Sequence, residues 1–506
     1  MHRNLGIGSW IARRARMTPE RVALIAEDQR WTYAQLDDRI TCLAHALLEL
    51  GIASGDRVAF IGDNHPAALE TLFACGLVGA ILVPLHPGFD AGTIQDVLVE
   101  SGARALITTL AHANTVRQAL PGTRITRAIC TGPVVDAGLE SYEQLIADAA
   151  TEPLDRAISL SAPCVLAFTS GTDSRNKGVV LSHANLFFNV VNLLSCIDYR
   201  HDDVVLTTAP LYRMGGLGFT LPVLFKGGTC VLMERRHPAQ VLALVEQHRV
   251  TALFDAPRLY DEIARDPHFA TADLSSLRIV VTGGAPVPPS LIVTYLARGI
   301  RLRQGYGLTE AAPVALLLDS DDVSTHVGAA GRPPMYGAVR IIGPDREDVP
   351  AGTLGELLYS GPNVMTGYWR RPDATARVLV EDGWLRTGDA ANVDADGIVA
   401  IAGRVSDVLD CGQPIPPGPI EDAVRTATDV ECALVQRAPG SAVIAFVAAH
   451  LRAVDVPSIA TICDALLPAG YSVEVRVIDA LPRNANGKVL RGALRAKAAT
   501  NDARRA

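Results

Sequence analysis

The chain is predicted to be an α/β protein, with a large N-terminal domain of βαβ-type sheets that includes a β subdomain, followed by a small, mobile α+β C-terminal domain. Three observations carry this expectation. At 506 residues with 49% hydrophobic content, the chain is too long for one core and apolar enough for several. From Trp31 to Pro87 stretches of helical period alternate with strand-like runs, the rhythm of a parallel sheet covered by helices. From about Gly337 that rhythm gives way to short β-rich segments punctuated by Gly, Pro and Asp, and past Gly403 to a shorter α+β pattern.

Taken in order, Leu36 to Leu50 has helical spacing, Gly51 to Asp56 reads as a turn, and Arg57 to Ile61 reads as a strand. A second helical stretch and a strand ending near Pro84 complete the βαβ unit. Further strands are expected at Ala105 to Thr109, Cys164 to Phe168, Asp203 to Thr208, Gly228 to Met233, Thr251 to Phe254 and Leu277 to Thr282. The β subdomain, about 337–402, contains Gly355 to Ser360 and Val393 to Ile401. A helix from Ile420, strands at Ala433 to Val435 and Ala442 to Ala448, and a basic tail make up the last domain, 408–506. With no long linker before it, residues 403–407 suit a hinge between a first domain, 1–402, and this one.

Composition narrows the function. A net charge of -8 on 506 residues lacks the basic excess of a nucleic-acid binder, so small molecules are the expected partners. The nine cysteines have no metal-type spacing. Together with an N-terminus that has no apolar h-region and no apolar run long enough to span a bilayer, they place the protein in the cytoplasm as an expectation.

Several short motifs could carry chemistry. Thr169-Ser170-Gly171-Thr172 through Lys177-Gly178 joins two strand-like runs, and small hydroxyl residues with Gly let backbone amides approach a phosphate. It is not a Walker A loop, since Asn176 and Gly178 stand at positions that motif reserves for Gly and Ser/Thr. In Gln304-Gly-Tyr306-Gly307-Leu-Thr309-Glu310, the ring could stack on a base, the hydroxyl could meet a phosphate and the carboxylate could hold Mg²⁺. Thr282-Gly283-Gly284-Ala285-Pro286, Leu385 to Asp389, Gly403-Arg404 and Asn486-Gly-Lys488 are each, alone, no more than turns.

Their order and spacing together resemble the adenylate-forming superfamily of acyl-CoA synthetases, luciferases and peptide-synthetase adenylation domains, on the acyl-CoA synthetase branch. The resemblance runs from Thr32-Tyr33 and Gly55 to Val58, through Asn64 and Pro84, to Leu481-Pro-Arg-Asn-Ala-Asn-Gly-Lys488-Val-Leu-Arg491. It implies two half-reactions: a carboxylate and ATP give acyl-AMP, and the acyl group then passes to a thiol. It further implies that Thr169, Ser170, Gly171, Thr172 and Lys177 hold phosphate, that Gly283, Gly284, Ala285, Tyr306 and Gly307 frame adenine, and that Asp389 and Arg404 bind the ribose. Thr309, Glu310 as Mg²⁺ ligand, and Lys488 as a mobile cation beside the α-phosphate would serve catalysis. Tyr212, Arg213, Gly215, Asp255 and Ala312 would form the acyl pocket, and Asp407 and Gly412 would belong to the hinge and the CoA tunnel. Cofactors and substrates would be ATP or acyl-AMP, Mg²⁺ and CoA.

Two departures from the family pattern stand out. Asp173, Ser174 and Asn176 replace the second Thr, the Gly and the Pro of the phosphate loop. Two unit charges about 4 Å apart at an effective dielectric near 20 repel by roughly 4 kcal/mol, so Asp173 would oppose the β- and γ-phosphates of ATP while sparing an acyl-AMP. One reading is weak or absent adenylation beside intact thioester formation, which resembles the functionally separated ligases of diterpenoid antibiotic pathways such as platensimycin, with a separate adenylating enzyme or a carrier protein as partner; the other is an Asp173 that turns outward or helps ligate Mg²⁺ and leaves ordinary two-step activity. The segment Asp407 to Pro417 is one residue shorter than in relatives and rich in Pro. A carrier-protein thiol as acceptor, and a non-catalytic protein that binds AMP or an acyl group, are the alternatives. Arg213 stands where most relatives carry His; binding the acid, gating and pairing with Asp255 are its three open roles.

Overall fold

A computed structural model describes residues 3–132, 138–169, 177–438, 440–449, 454–483 and 489–500. The chain divides into two compact units, one of 1–338 with 359–385 and the other of 339–358 with 386–506. The residues expected as one β subdomain, about 337–402, are thus shared between the two.

Among the described residues the first unit holds two eight-stranded sheets. In one, Ile81–Leu85, Arg57–Ile61, Ala105–Thr108 and Arg127–Cys130 run parallel, and the antiparallel pair Pro163–Thr169 and Lys177–Ser182 continues it on one side. In the other, Leu302–Gly307, Ile279–Gly283, Ala252–Asp255, Val204–Thr207, Thr229–Leu232 and Val22–Ala26 run parallel, and Val314–Leu317 and Gln29–Thr32 close the edges antiparallel.

Alternation along these strands explains the layering. Val58 and Phe60 of the first sheet, and Val205, Ala252, Ile279 and Val281 of the second, enter one buried cluster with the helices Tyr33–Glu49, Pro66–Val78, His183–Cys196 and Met214–Lys226. The alternate residues Ala59, Ile61, Val83 and Leu106 turn to a separate cluster with the helix Ala91–Ser101. The helix Pro66–Val78 is buried on every side, which is why its sequence has no polar face. Thr32 and Gln35, and Ser182 and Asn185, close reciprocal caps at two of these helix starts.

The second unit carries a sheet of Ala338–Ile342, Gly355–Ser360, Leu385–Val393 and Val399–Arg404, whose end residues belong to the first unit. Its other sheet is Cys432–Val435, Val443–Ala448 and Val473–Ile478. Period-two burial sends Cys432 and Leu434 toward the helices Pro417–Thr428 and Val456–Leu466, and Ala433 and Val435 toward Arg491–Thr500. Val443 to Ala448 is buried on both faces, so it reads as a continuous apolar run.

Candidate functional site

In the first unit the expected site residues gather at the carboxyl ends of parallel strands, where open α/β sheets bind ligands. Gly283 ends the strand Ile279–Gly283, and a Cβ on it would lie 2.5 Å from the carbonyl oxygen of Gly305. Gly284 follows at φ +78°, a conformation Gly adopts without steric cost, and Ala285 comes next. Tyr306 and Gly307 end the neighbouring strand, with Gly307 packed so tightly on Pro313 that a Cβ would meet its carbonyl oxygen at 2.0 Å. Thr309 and Glu310 form a 3₁₀ turn, and Ala312 leaves it in the left-handed region at φ 58°.

Glu310 is held at both ends. The backbone N–H of Met365 donates to its carbonyl oxygen at 2.8 Å, and the Tyr368 hydroxyl donates to its Oε1 at 2.8 Å. The Tyr368 ring also meets Lys177, whose ammonium lies 5.6 Å from the ring centroid. Thr169 pairs with Lys177 across the antiparallel strands and donates from Oγ1 to its carbonyl at 3.4 Å. Ser170, Gly171, Thr172, Asp173, Ser174 and Asn176 lie outside the described residues.

The expected acyl-binding residues split into two groups. Asn64 ties the two sheets together: its Nδ2 donates to the carbonyl of Thr207 at 3.1 Å, and its Oδ1 accepts from the N–H of Leu211 at 2.8 Å. This sets the loop carrying Tyr212 and Arg213. The Tyr212 ring lies 4.6 Å from that of His86, and the Arg213 guanidinium lies 5.5 Å over Tyr212. Burial first and Arg213 second hold the His86 imidazole below its usual range. Gly215, in the helix Met214–Lys226, faces Phe254, whose ring a Cβ would meet at 3.1 Å. Phe254 is stacked on Phe219 with centroids 3.9 Å apart and planes 6° apart.

Asp255, the next residue, is 1% exposed and bonds elsewhere. Its Oδ1 accepts from Arg236 Nη1 at 3.1 Å and from the Ala256 N–H at 2.7 Å. Burial raises its carboxyl above the usual range, against the opposing pull of Arg236. Sequence reasoning missed Arg236, Phe254 and Tyr368. Strand parity could have separated Phe254 from Asp255, but nothing in the sequence marks Tyr368, which sits in the two-residue strand Gly367–Tyr368.

In the second unit Asp389 and Arg404 are register partners on adjacent strands, with Arg404 Nε 3.3 Å from Asp389 Oδ1. The Asp389 N–H donates to Thr387 Oγ1 at 3.1 Å, and Arg404 Nη1 donates to the Thr387 carbonyl at 2.9 Å. A carboxylate and a guanidinium fixed side by side could accept from and donate to the vicinal hydroxyls of a sugar. Asp407 ends the 3₁₀ turn Val405–Asp407 and is bonded by Arg495. Gly412 has φ 73°, and its N–H donates to Asp410 Oδ1 at 3.2 Å. Lys488 lies outside the described residues; Arg483 and Val489 form an antiparallel bridge. Arg491, just beyond, donates to the Glu421 carboxylate at 2.6 Å.

The AMP-binding enzyme family matches residues 11–369. The chain belongs to this family. Within it, the chain is 43% identical to the feruloyl-CoA synthase of Amycolatopsis sp over 97% of its own length and 99% of the relative's. It is 34% identical to the indoleacetate–CoA ligase of Aromatoleum aromaticum over 96% of each chain. The fold is that of the crystal structure of an anthranilate CoA ligase in complex with anthranoyl-AMP, with a TM-score of 0.90, 23% identity and 99% of both chains covered. Among the described residues, no helix of this AMP-binding enzyme is long and apolar enough to cross a membrane.

Proposed function

We propose that this AMP-binding enzyme is an acid–thiol ligase that joins an aromatic carboxylic acid to CoA through an acyl-AMP intermediate. The observation that carries the substrate class is the Phe219–Phe254 stack beside the bare backbone of Gly215, which offers a flat apolar wall to a ring. Two full-length relatives whose names specify aryl acids, feruloyl and indoleacetate, support the same class.

In this reading Gly283, Gly284 and Ala285 lend their backbone to adenine, and Tyr306 supplies a stacking face. Asp389, with Arg404, takes the ribose hydroxyls. Glu310 fits a Mg²⁺ site: among the described residues its Oε2 takes no partner, and one carboxylate with phosphate oxygens suits that ion. Bound there, Mg²⁺ would neutralise charge on the phosphates. Lys177 meets the phosphates from the loop, and Lys488 meets the charge that develops at the α-phosphate, where a fixed cation lowers the barrier. Residues 403–407 serve as a hinge, and the segment with Asp407 and Gly412 serves the thiol step.

Asp173, Ser174 and Asn176 favour a slow first half-reaction, so that preformed acyl-AMP is the better substrate. The test supplies hydroxycinnamic, indoleacetic and long-chain acids with ATP, Mg²⁺ and CoA, and in parallel synthetic aryl-AMP with CoA. Thioester from aryl acids or aryl-AMP is expected, with the second mixture faster. Product from the long-chain acid alone would overturn the substrate class, and equal rates in the two mixtures would overturn the slow first step. A pantetheinylated carrier protein in place of CoA tests the acceptor.

A further inference from the structure

The segment 363–369 is pinned to both sheets of the first unit. At one end Asn363, fully buried, donates from Nδ2 to the carbonyls of Ala311 at 2.6 Å and Val314 at 2.9 Å, and the Met365 N–H donates to that of Glu310. At the other end Gly367 and Tyr368 pair with Val180 and Val179, and the Trp369 N–H donates to the Gly178 carbonyl at 2.7 Å. Between them the Tyr368 N–H donates to Thr375 Oγ1 at 2.9 Å. The strap therefore runs from the turn bearing Glu310 to the strand that opens with Lys177, and it leaves the Tyr368 ring little freedom.

We propose that Tyr368 is a positioning residue for the cation step of the reaction proposed above. Its hydroxyl hydrogen bond engages Glu310 Oε1 and would leave Oε2 to Mg²⁺, while its ring face holds the Lys177 ammonium. One phenol thus sets two opposite charges at a fixed separation. Without the hydroxyl, the Glu310 carboxylate rotates among its broad terminal torsions and presents an oxygen to the ion only part of the time. Partners of a metal-binding carboxylate typically contribute 10–100-fold to metal affinity.

The experiment measures binding, not turnover. Free Mn²⁺, the probe for Mg²⁺, is followed by its electron paramagnetic resonance signal during titration into protein held in excess over ATP, with the same titration of ATP alone subtracted because free ATP itself binds the ion, and ATP binding without metal is measured separately by calorimetry. For Y368F, uptake of Mn²⁺ is expected to weaken about 10-fold or more while metal-free ATP affinity stays within about twofold. The change should vanish in an E310Q background, where the carboxylate is already gone. Equal weakening with and without metal, an unaltered Mn²⁺ titration, an undiminished loss in E310Q, or failure of Y368F to fold would each overturn the proposal, the last by making the hydroxyl a structural pin. Wild-type protein that takes up no Mn²⁺ with ATP would instead remove the ATP-dependent half of the proposed function, and this role with it.

Discussion

His183 makes the stability of the first unit depend on pH in a way that can be computed before it is measured. The side chain is 0% exposed, at the start of the helix His183–Cys196. Its Nδ1 accepts from the Ile7 N–H at 3.2 Å, and Nε2 is buried without a partner. Protonation would place a second N–H against the Ile7 donor in a fully buried site, and burial lowers the imidazole pKa from 6.5 to about 4. A folded-state pKa below the unfolded one means that the unfolded chain binds the proton more readily, so stability is complete above about pH 6.5 and falls as pH drops toward about 4. The difference between 6.5 and about 4, at about 1.4 kcal/mol per pH unit, amounts to about 3 kcal/mol. All four tryptophans, Trp10, Trp31, Trp369 and Trp384, lie in the first unit, so their fluorescence reports its unfolding alone. Urea unfolding followed this way from pH 8 to pH 4 should show wild type losing about 3 kcal/mol more than H183Q. Parallel curves for the two proteins would refute the reasoning.

Three further outcomes are expected. F254A removes one ring of the stack on Phe219 and should lower kcat/KM for aryl acids by about two- to tenfold, from about 0.5–1.5 kcal/mol of aromatic contact, while leaving a short aliphatic acid unaffected in a competition assay. The triple variant D173T/S174G/N176P removes a charge worth about 2 kcal/mol after partial solvation, and ATP–pyrophosphate exchange should rise more than tenfold with aryl-AMP consumption unchanged. R39M leaves Glu70, 0% exposed and among the described residues otherwise bonded only by Tyr142 at 2.6 Å, without its cation. A loss of about 3–5 kcal/mol in tryptophan-monitored unfolding is expected.

The sequence was legible where burial leaves a pattern. The parallel strands Arg57–Ile61 and Ile279–Gly283 are covered on both faces and read as short apolar runs between turns. It was less legible where an element departs from its usual signal. The hairpin Val22–Ala26 to Gln29–Thr32 turns at Glu27 and Asp28 with Glu27 at φ 50°, without the Gly or Asn that normally marks such a turn. The helix expected from Ile420 starts at Pro417, because Pro is favoured at the first helical position, where no N–H is required. The run Val393 to Ile401 is the turn and second strand of a hairpin, with Gly397 at φ 77° between Leu385–Val393 and Val399–Arg404. The strand Val473–Ile478 had no distinct signal because it is half-buried throughout except at the exposed Val477, and the helix within the basic tail, Arg491–Thr500, buries only Leu494 and Ala498 fully among its described side chains.

The site separates along the same physical line. Gly283, Gly284, Tyr306 and Glu310 could be singled out only because their motifs stand together in the order and spacing of a known family; alone, each reads as a turn. The geometry that aims them is carried by bonds between residues far apart in the chain, 58 positions for Tyr368 and Glu310, 19 for Arg236 and Asp255, and sequence spacing does not encode those. Parity is the intermediate case. Leu253 and Asp255 share one face of their strand while Phe254 turns to the helix bearing Gly215, so the buried acid and the aromatic wall are adjacent in sequence but serve different surroundings. In the proposed function, substrate discrimination rests on a ring and a missing side chain. Asp255 Oδ1 is taken by Arg236 and the Ala256 N–H, and selectivity is expected to follow the shape of the acid more closely than its polarity.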